Sequence, residues 1–393
     1  MNSRLPIFRC ASTLKGHTKP LNVLKISPDG CFLLSGADDG EVKIWRLYSN
    51  GAGQTPMQSL PSQGFGAVYA ATWAPGGEAG GSKTNIIVVG TSSGRIFIYL
   101  WDSVESKYRL SDYKDAHSKR IDDLAFDSTF RYLATAGNGE VIIWKLSAKG
   151  ILEKTQLASP PVKSADISRI FFYDRGSTLI ICYRENHCCT AYQVHPWSPK
   201  WNVQLPSQIG YASVGSDKHL VVTNLFDGVD VYSLPPRVPV EHYTHPILQN
   251  RPLQVSPISG SMVVIGSEDG HVVIWNWHTK EKAEITHANL QVVDAYEHQT
   301  GLLIASGSSE YGMEPIIKLW TSLPDKKSTD CRAHRADHDN PTAPISLSVP
   351  QLIILLVFCL YGHSIINYLG TLTNPFINYI LQAFNYIREA LPL

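Results

Sequence analysis

The stretch LLSGADDGEVKIW, residues 33–45, is an apolar run, a polar turn with glycine, and apolar residues alternating up to a tryptophan. It reads as a β-hairpin, with Asp39-Gly40 supplying the positive-φ turn that folds one strand back on the other. The pattern recurs. LATAGNGEVIIW (133–144) turns at Asn138-Gly139, and VVIGSEDGHVVIW (263–275) turns at Asp269-Gly270. LIASGSSEYGMEPIIKLW (303–320) is a degenerate copy with a longer turn. Weaker copies close on tyrosine: IIVVGTSSGRIFIY at Tyr99, LIICYRENHCCTAY at Tyr192 and LVVTNLFDGVDVY at Tyr232.

The closing aromatics fall at 45, 99, 144, 192, 232, 275 and 320, spaced 40 to 54 residues apart. That period is the four-stranded blade of a β-propeller, and the copy number predicts seven blades. The widest spacing is explained by a glycine-rich insertion, Gly76 to Asn85. A chain of 393 residues exceeds the size at which one core stops growing, which repetition resolves. The segment IFRCASTL, residues 7–14, precedes the first repeat and reads as a strand that completes blade seven, leaving no open edge.

Repeat one also carries Gly16-His17 ahead of its first strand, then Ser35, Asp39 and Trp45. On these residues the chain resembles the WD-repeat β-propeller family, across about residues 7–321. The resemblance implies a structural hydrogen-bond network of His17, Ser35, Asp39 and Trp45. It also implies protein or peptide partners bound on the face bearing the loops before each blade's first strand, where Lys19, Phe65, Lys119, Arg120 and Tyr211 lie. Other repeats depart from the pattern. Trp45, Trp144 and Trp275 are followed by Arg46, Lys145 and Asn276 rather than aspartate; Ile265 replaces the serine; and repeats four and five lack the histidine.

The formal net charge is zero, so no basic field points to nucleic acid. Seven cysteines without a C-x-x-C pair suit reduced thiols in a cytosol-like compartment. The N-terminus has no apolar run of secretory length. Motifs of serine hydrolases, phosphate-binding loops, dinucleotide folds and zinc proteases are missing, and no catalytic residue or cofactor is expected. Cys331, His334 and His338 have metal-ligand spacing, but sit in a single short cluster of a charged linker and read as solvated.

From Asn340 to Ile387 there is no Asp, Glu, Lys or Arg. The run Leu352, Ile353, Ile354, Leu355, Leu356, Val357, Phe358 sits inside Val349–Leu369, about the length that crosses a bilayer as a helix. Asn374-Pro375 then opens an amphipathic helix whose polar stripe is Asn378, Gln382, Asn385 and Glu389. The expected organisation is a propeller over 1–321, a polar linker over 322–344, a membrane-spanning anchor over 345–371 and an amphipathic helix over 372–393. A one-sided hairpin, a tail packed on another protein, or translated non-coding sequence are the alternatives for the tail. The expectation is therefore an all-β seven-bladed propeller with a C-terminal hydrophobic helical tail. Its function would be a non-catalytic, cytosol-facing interaction scaffold held at an intracellular membrane, the endoplasmic reticulum foremost. A soluble subunit of a multiprotein assembly and a propeller enzyme are the rival readings.

Overall fold

A computed structural model describes residues 5–322, apart from segments 48–54, 62–63, 76–85, 156, 158–159, 164, 216–217, 250, 259–260, 288–289, 299–300 and 309–311. β1 (Arg9–Lys15) opens the fold. Blade 1 follows as β2 (Leu21–Ile26), β3 (Phe32–Ala37), β4 (Glu41–Arg46) and β5 (Gln58–Pro61). Blade 2 is β6 (Val68–Ala74), β7 (Ile86–Thr91), β8 (Arg95–Asp102) and β9 (Lys107–Asp115). Blade 3 is β10 (Asp123–Asp127), β11 (Tyr132–Gly137), β12 (Glu140–Leu146) and β13 (Leu152–Lys154). Blade 4 is β14 (Ile167–Tyr173), β15 (Thr178–Tyr183), β16 (Cys188–Gln193) and β17 (Ser198–Gln204). Blade 5 is β18 (Ile209–Val214), β19 (His219–Asn224), β20 (Gly228–Ser233) and β21 (Pro239–Thr244). Blade 6 is β22 (Val255–Ile258), β23 (Met262–Ile265), β24 (His271–Asn276) and β25 (Lys282–Thr286). Blade 7 is β26 (Leu290–His298), β27 (Gly301–Ser308), β28 (Ile316–Thr321) and, as its fourth strand, β1.

The fold is thus an all-β seven-bladed propeller, and no helix occurs among the described residues. The residues of the expected linker, anchor and C-terminal helix lie outside them, beyond Ser322. No described helix is long and apolar enough to cross a membrane.

Each blade begins at the ring's centre, where the first strands of neighbouring blades meet. Apolar residues from two adjacent sheets pool into each of seven buried clusters among the described residues, so the core lies in the seams between blades. The seams are tight at one recurrent point. A Cβ on Gly36 would stand 2.6 Å from Val68, one on Gly90 would stand 2.6 Å from Ile121, and one on Gly307 would stand 2.7 Å from Leu21. In each case the first apolar residue of the next blade fills the place a side chain would take. Sheet twist is absorbed at the same level: β2, β6, β14, β18 and β26 each start with a one-residue register shift.

β1 runs antiparallel to β28, from Arg9 opposite Thr321 to Lys15 opposite Ile316. Its Leu14 is fully buried in the seam between blades 7 and 1, beside Leu21, Trp45 and Leu319. Chain entry and exit therefore share one end of blade 7. The other end, where innermost strands start, is called the upper face below.

Truncating Leu14 to alanine should cost about 2–5 kcal/mol in urea unfolding. Ile7→Ala should change stability by less than about 0.5 kcal/mol, because that side chain is 86% exposed. Equal effects from the two variants would show that the closing strand is dispensable.

Candidate interaction surface at the channel mouth

Polar side chains on the upper face brace several of the hairpins. In blade 1, His17 Nδ1 lies 2.9 Å from Asp39 Oδ2 and its Nε2 2.8 Å from Ser35 Oγ. The Trp45 indole N–H donates to the same Ser35 oxygen at 2.8 Å. A carboxylate only accepts, so Nδ1 carries a proton. Burial alone would raise the Asp39 carboxyl. The hydrogen bond and charge of His17, with the N–H groups of Thr18 and Glu41, outweigh it and hold Asp39 below its ordinary value.

Two further blades repeat the device with altered parts. In blade 3, Thr135 Oγ1 accepts from Trp144 at 3.0 Å and lies 2.9 Å from His117 Nε2. The shorter Asn138-Gly139 turn, both residues at positive φ, leaves Glu140 as the carboxylate 3.5 Å from His117 Nδ1. In blade 7, Ser306 accepts from Trp320 at 2.8 Å and lies 2.8 Å from His287 Nδ1. No carboxylate joins that set among the described residues. Burial, helped by the charge of Lys318, pushes the His287 imidazole down to about 4.

Blades 4 and 5 are built otherwise. Ile181 stands at the serine position of blade 4, and the next residue, Cys182, has its sulfur 3.2 Å from that of Cys189 on the facing strand. In blade 5, Asn224 Oδ1 accepts from the N–H groups of Phe226, Asp227 and Gly228. Its amide donates to buried Asp230, which also lies 2.8 Å from His242 Nδ1.

Innermost strands present unpaired backbone groups to the channel, and side chains satisfy them. Asp294 of blade 7 accepts from the Ile26 N–H of blade 1 at 2.7 Å and from Ser256 of blade 6 at 3.2 Å. Asp123 of blade 3 accepts from the Ile170 N–H of blade 4 at 2.8 Å and pairs with Arg169 at 2.7 Å. Burial works against the Arg169 charge, but Asp123, Tyr211 and Asp294 outweigh it and raise its pKa. Lys25 completes the set, 4.0 Å from Asp294. Opposite charges thus alternate around the channel wall.

At the mouth, between blades 2 and 4, Arg120 is exposed, with its guanidinium carbon 4.8 Å from the centre of the Tyr69 ring. Its Nη2 pairs with Asp122 at 2.8 Å. Asp166 and Arg184, both from blade 4, complete the electrostatic neighbourhood of this pair.

Comparison with known proteins now has a geometry to meet. The family described as WD domain, G-beta repeat matches residues 8–46 and 109–145, which hold the braced hairpins of blades 1 and 3. This chain is a WD-repeat propeller. It is similar to the ribosome biogenesis protein ERB1 of Debaryomyces hansenii, 49% identical over 42 residues, covering 11% of this chain and 5% of that one. It is also similar to pre-mRNA-processing factor 19 homolog 2 of Arabidopsis thaliana, 23% identical over 240 residues, 58% of this chain and 40% of that one. The chromatin assembly factor 1 subunit FAS2 homolog of Oryza sativa subsp. japonica is 42% identical over 53 residues, 14% of this chain and 10% of that one. The matches span 40% or less of each of these relatives.

Of the WD-repeat surface positions singled out in the sequence, Lys119 and Arg120 stand on the mouth and Lys19 on the rim of blade 1, all exposed. Tyr211 is half-buried within the channel, its ring 4.5 Å from the Arg169 guanidinium carbon. Phe65 is turned inward, 5.7 Å from Phe97 and capped by Arg95 at 3.7 Å. Tyr69, Asp166 and Arg184 escaped the sequence reading, because they come from two different blades and share no local motif. No group of three or more His, Cys, Asp or Glu that could hold a metal occurs among the described residues. Cys331, His334, His338 and Leu352–Phe358 lie outside them.

Ser35→Ala leaves two buried partners, the Trp45 N–H and His17 Nε2, without their shared hydroxyl. A loss of about 2–4 kcal/mol is expected in equilibrium unfolding. A second expectation concerns acid. A histidine whose pKa falls on folding stabilises fully above its unfolded value near 6.5, and that stability is lost as pH falls toward the folded value. For His287, held at about 4, unfolding free energy should fall by up to about 3 kcal/mol between pH 6.5 and 4. His287→Asn should be less stable at pH 7 but should lose this part of the slope. An unchanged slope would refute the assignment.

Proposed function

We propose that this protein is a non-catalytic interaction scaffold that docks partner proteins on the channel mouth of its upper face. The observation that carries the reading is Arg120: exposed, oriented by Tyr69 and Asp122, and mounted on a closed ring whose hairpins are already braced. Arginine and tyrosine on rigid supports are the residues that most often dominate interfaces. Loops on a stiff frame suit recognition, and the relatives carry the names of assembly and processing factors.

The second element is a tether. The uncharged stretch from Asn340 to Ile387 is long enough to place a helix across a bilayer, and its apolar run needs cover from water. Residues 323 onward continue from Ser322, at the end of blade 7 opposite the mouth, which supports a division between a surface that recruits and a tail that localises. We place the protein at an intracellular membrane, the endoplasmic reticulum foremost, with the propeller in the cytosol.

Proximity labelling with the full chain tests the first element. The double variant Lys119→Glu, Arg120→Glu should lose the main protein neighbours, whereas Lys154→Glu on an outer strand should keep them. An unchanged neighbour set in the double variant would move the interaction elsewhere. Alkaline carbonate extraction tests the second: the full chain should stay with membranes and residues 1–340 should be released. Release of the full chain would remove the tether.

A further inference from the structure

The end of the ring opposite the mouth, its lower face, carries the turns that join the first strand of each blade to the second and the third to the fourth. Apolar side chains stand out from these turns. Val104 of blade 2 is 92% exposed and Val238 of blade 5 is 73% exposed; Phe130 and Ile151 of blade 3, and Ile7 just before β1, are exposed as well. One such residue alone is ordinary. Here the turns are built to hold them outward. Asp102 Oδ1 accepts from the N–H groups of Val104 and Glu105 at 2.9 and 3.2 Å, and Ser147 Oγ accepts from the Ile151 N–H at 3.0 Å. Phe130 stacks on Tyr132 at 5.9 Å, and the Tyr132 hydroxyl lies 2.7 Å from His195 Nε2. Such rings with polar tips suit the boundary between hydrocarbon and water.

The charge of these turns decides what can cover them. Lys149, Arg175, Lys218 and Arg237 are exposed and form no ion pair among the described residues. Carboxylates nearby are mostly engaged: Asp102 and Glu105 pair with Arg109 and Lys107, and Asp127 accepts from the Phe130 N–H. Asp174, with Glu297 at the lower end of β26, offsets only part of the positive charge. On the upper face the company is reversed. Phe226 adjoins Asp227, Met313 adjoins Glu314, and the Leu248 N–H is held by Glu268 at 2.6 Å.

We propose that the lower face rests on an anionic lipid bilayer, with its apolar tips in the headgroup layer and its four unpaired bases against the lipid charges. The tips belong to blades 2, 3, 5 and 7, so a broad, flat occupant meets them together where a single peptide does not. Basic and apolar groups in one plane are what an anionic membrane surface attracts. The inference rests on the tether reading for its direction of approach, because the chain leaves β28 at this same face.

The test incorporates the full chain by detergent removal into phosphatidylcholine vesicles with and without phosphatidylserine. Flotation reads the tether, and hydrogen exchange reads the face. Segments 103–106, 147–151 and 234–238 should exchange several-fold more slowly on vesicles than in uncharged detergent, and most slowly with phosphatidylserine. Segment 225–227 of the upper face should not change. Val104→Asp, Val238→Asp should lose the protection on both lipids, and Lys149→Glu, Arg237→Glu should lose its dependence on phosphatidylserine. All four side chains are exposed, so thermal midpoints should hold. Flotation on both lipids with unprotected lower turns would overturn this proposal and leave the tether. Flotation and protection only with phosphatidylserine would uphold it and remove the tether. Flotation on neither would end both.

Discussion

The propeller depends on the pairing of β1 with β28, the first and last strands among the described residues. A blade has an apolar face on each side and cannot bury either alone, so each is stable only between neighbours. Around the ring that requirement is met six times by consecutive stretches of chain. At the seventh seam it is met by β1 alongside β28, which brings Leu14 against Leu21 and Trp45. The contact joins residues about three hundred positions apart, the costliest loop the chain closes.

The channel mouth inherits its rigidity from that closure. The side chains that ring it come from blades 2, 3 and 4, and none of their mutual positions is set by local sequence. Asp294 and Asp123 reach from one innermost strand to the backbone of the next. They do for neighbouring blades what a ladder does within a sheet. With the wall charges paired among themselves, the exposed Lys119 and Arg120 stand at the rim, where a partner can reach them.

The repeat was legible because its two strongest local signals, a glycine turn and a closing aromatic, are chemical necessities of a hairpin. The blade 1 brace could be read because all four of its residues keep their usual identities. The braces of blades 3 and 7 were harder to see: threonine replaces serine at 135, the turn before Trp320 is long, and neither has the expected aspartate. What remained illegible was the inward face of the innermost strands. There a one-residue register shift decides whether a side chain enters the channel or the seam, and such shifts leave no mark in the hydropathy pattern. Tyr69 belongs to that class, whereas Asp166 and Arg184 lie just outside β14 and β15, where no strand pattern marks them.

The glycines at 36, 90 and 307 carry a consequence that reaches past their own seams. Each sets how closely one wedge sits on the next, and the wedges must together complete one full turn. A closed circle has no free end at which a thickened joint can be relieved. An extra methyl at Gly36 would therefore open its joint only by tightening others, and loops on distant blades would shift with it. Residues far from the mouth thereby share control of its width, so changes that alter what this protein grips need not lie where it grips.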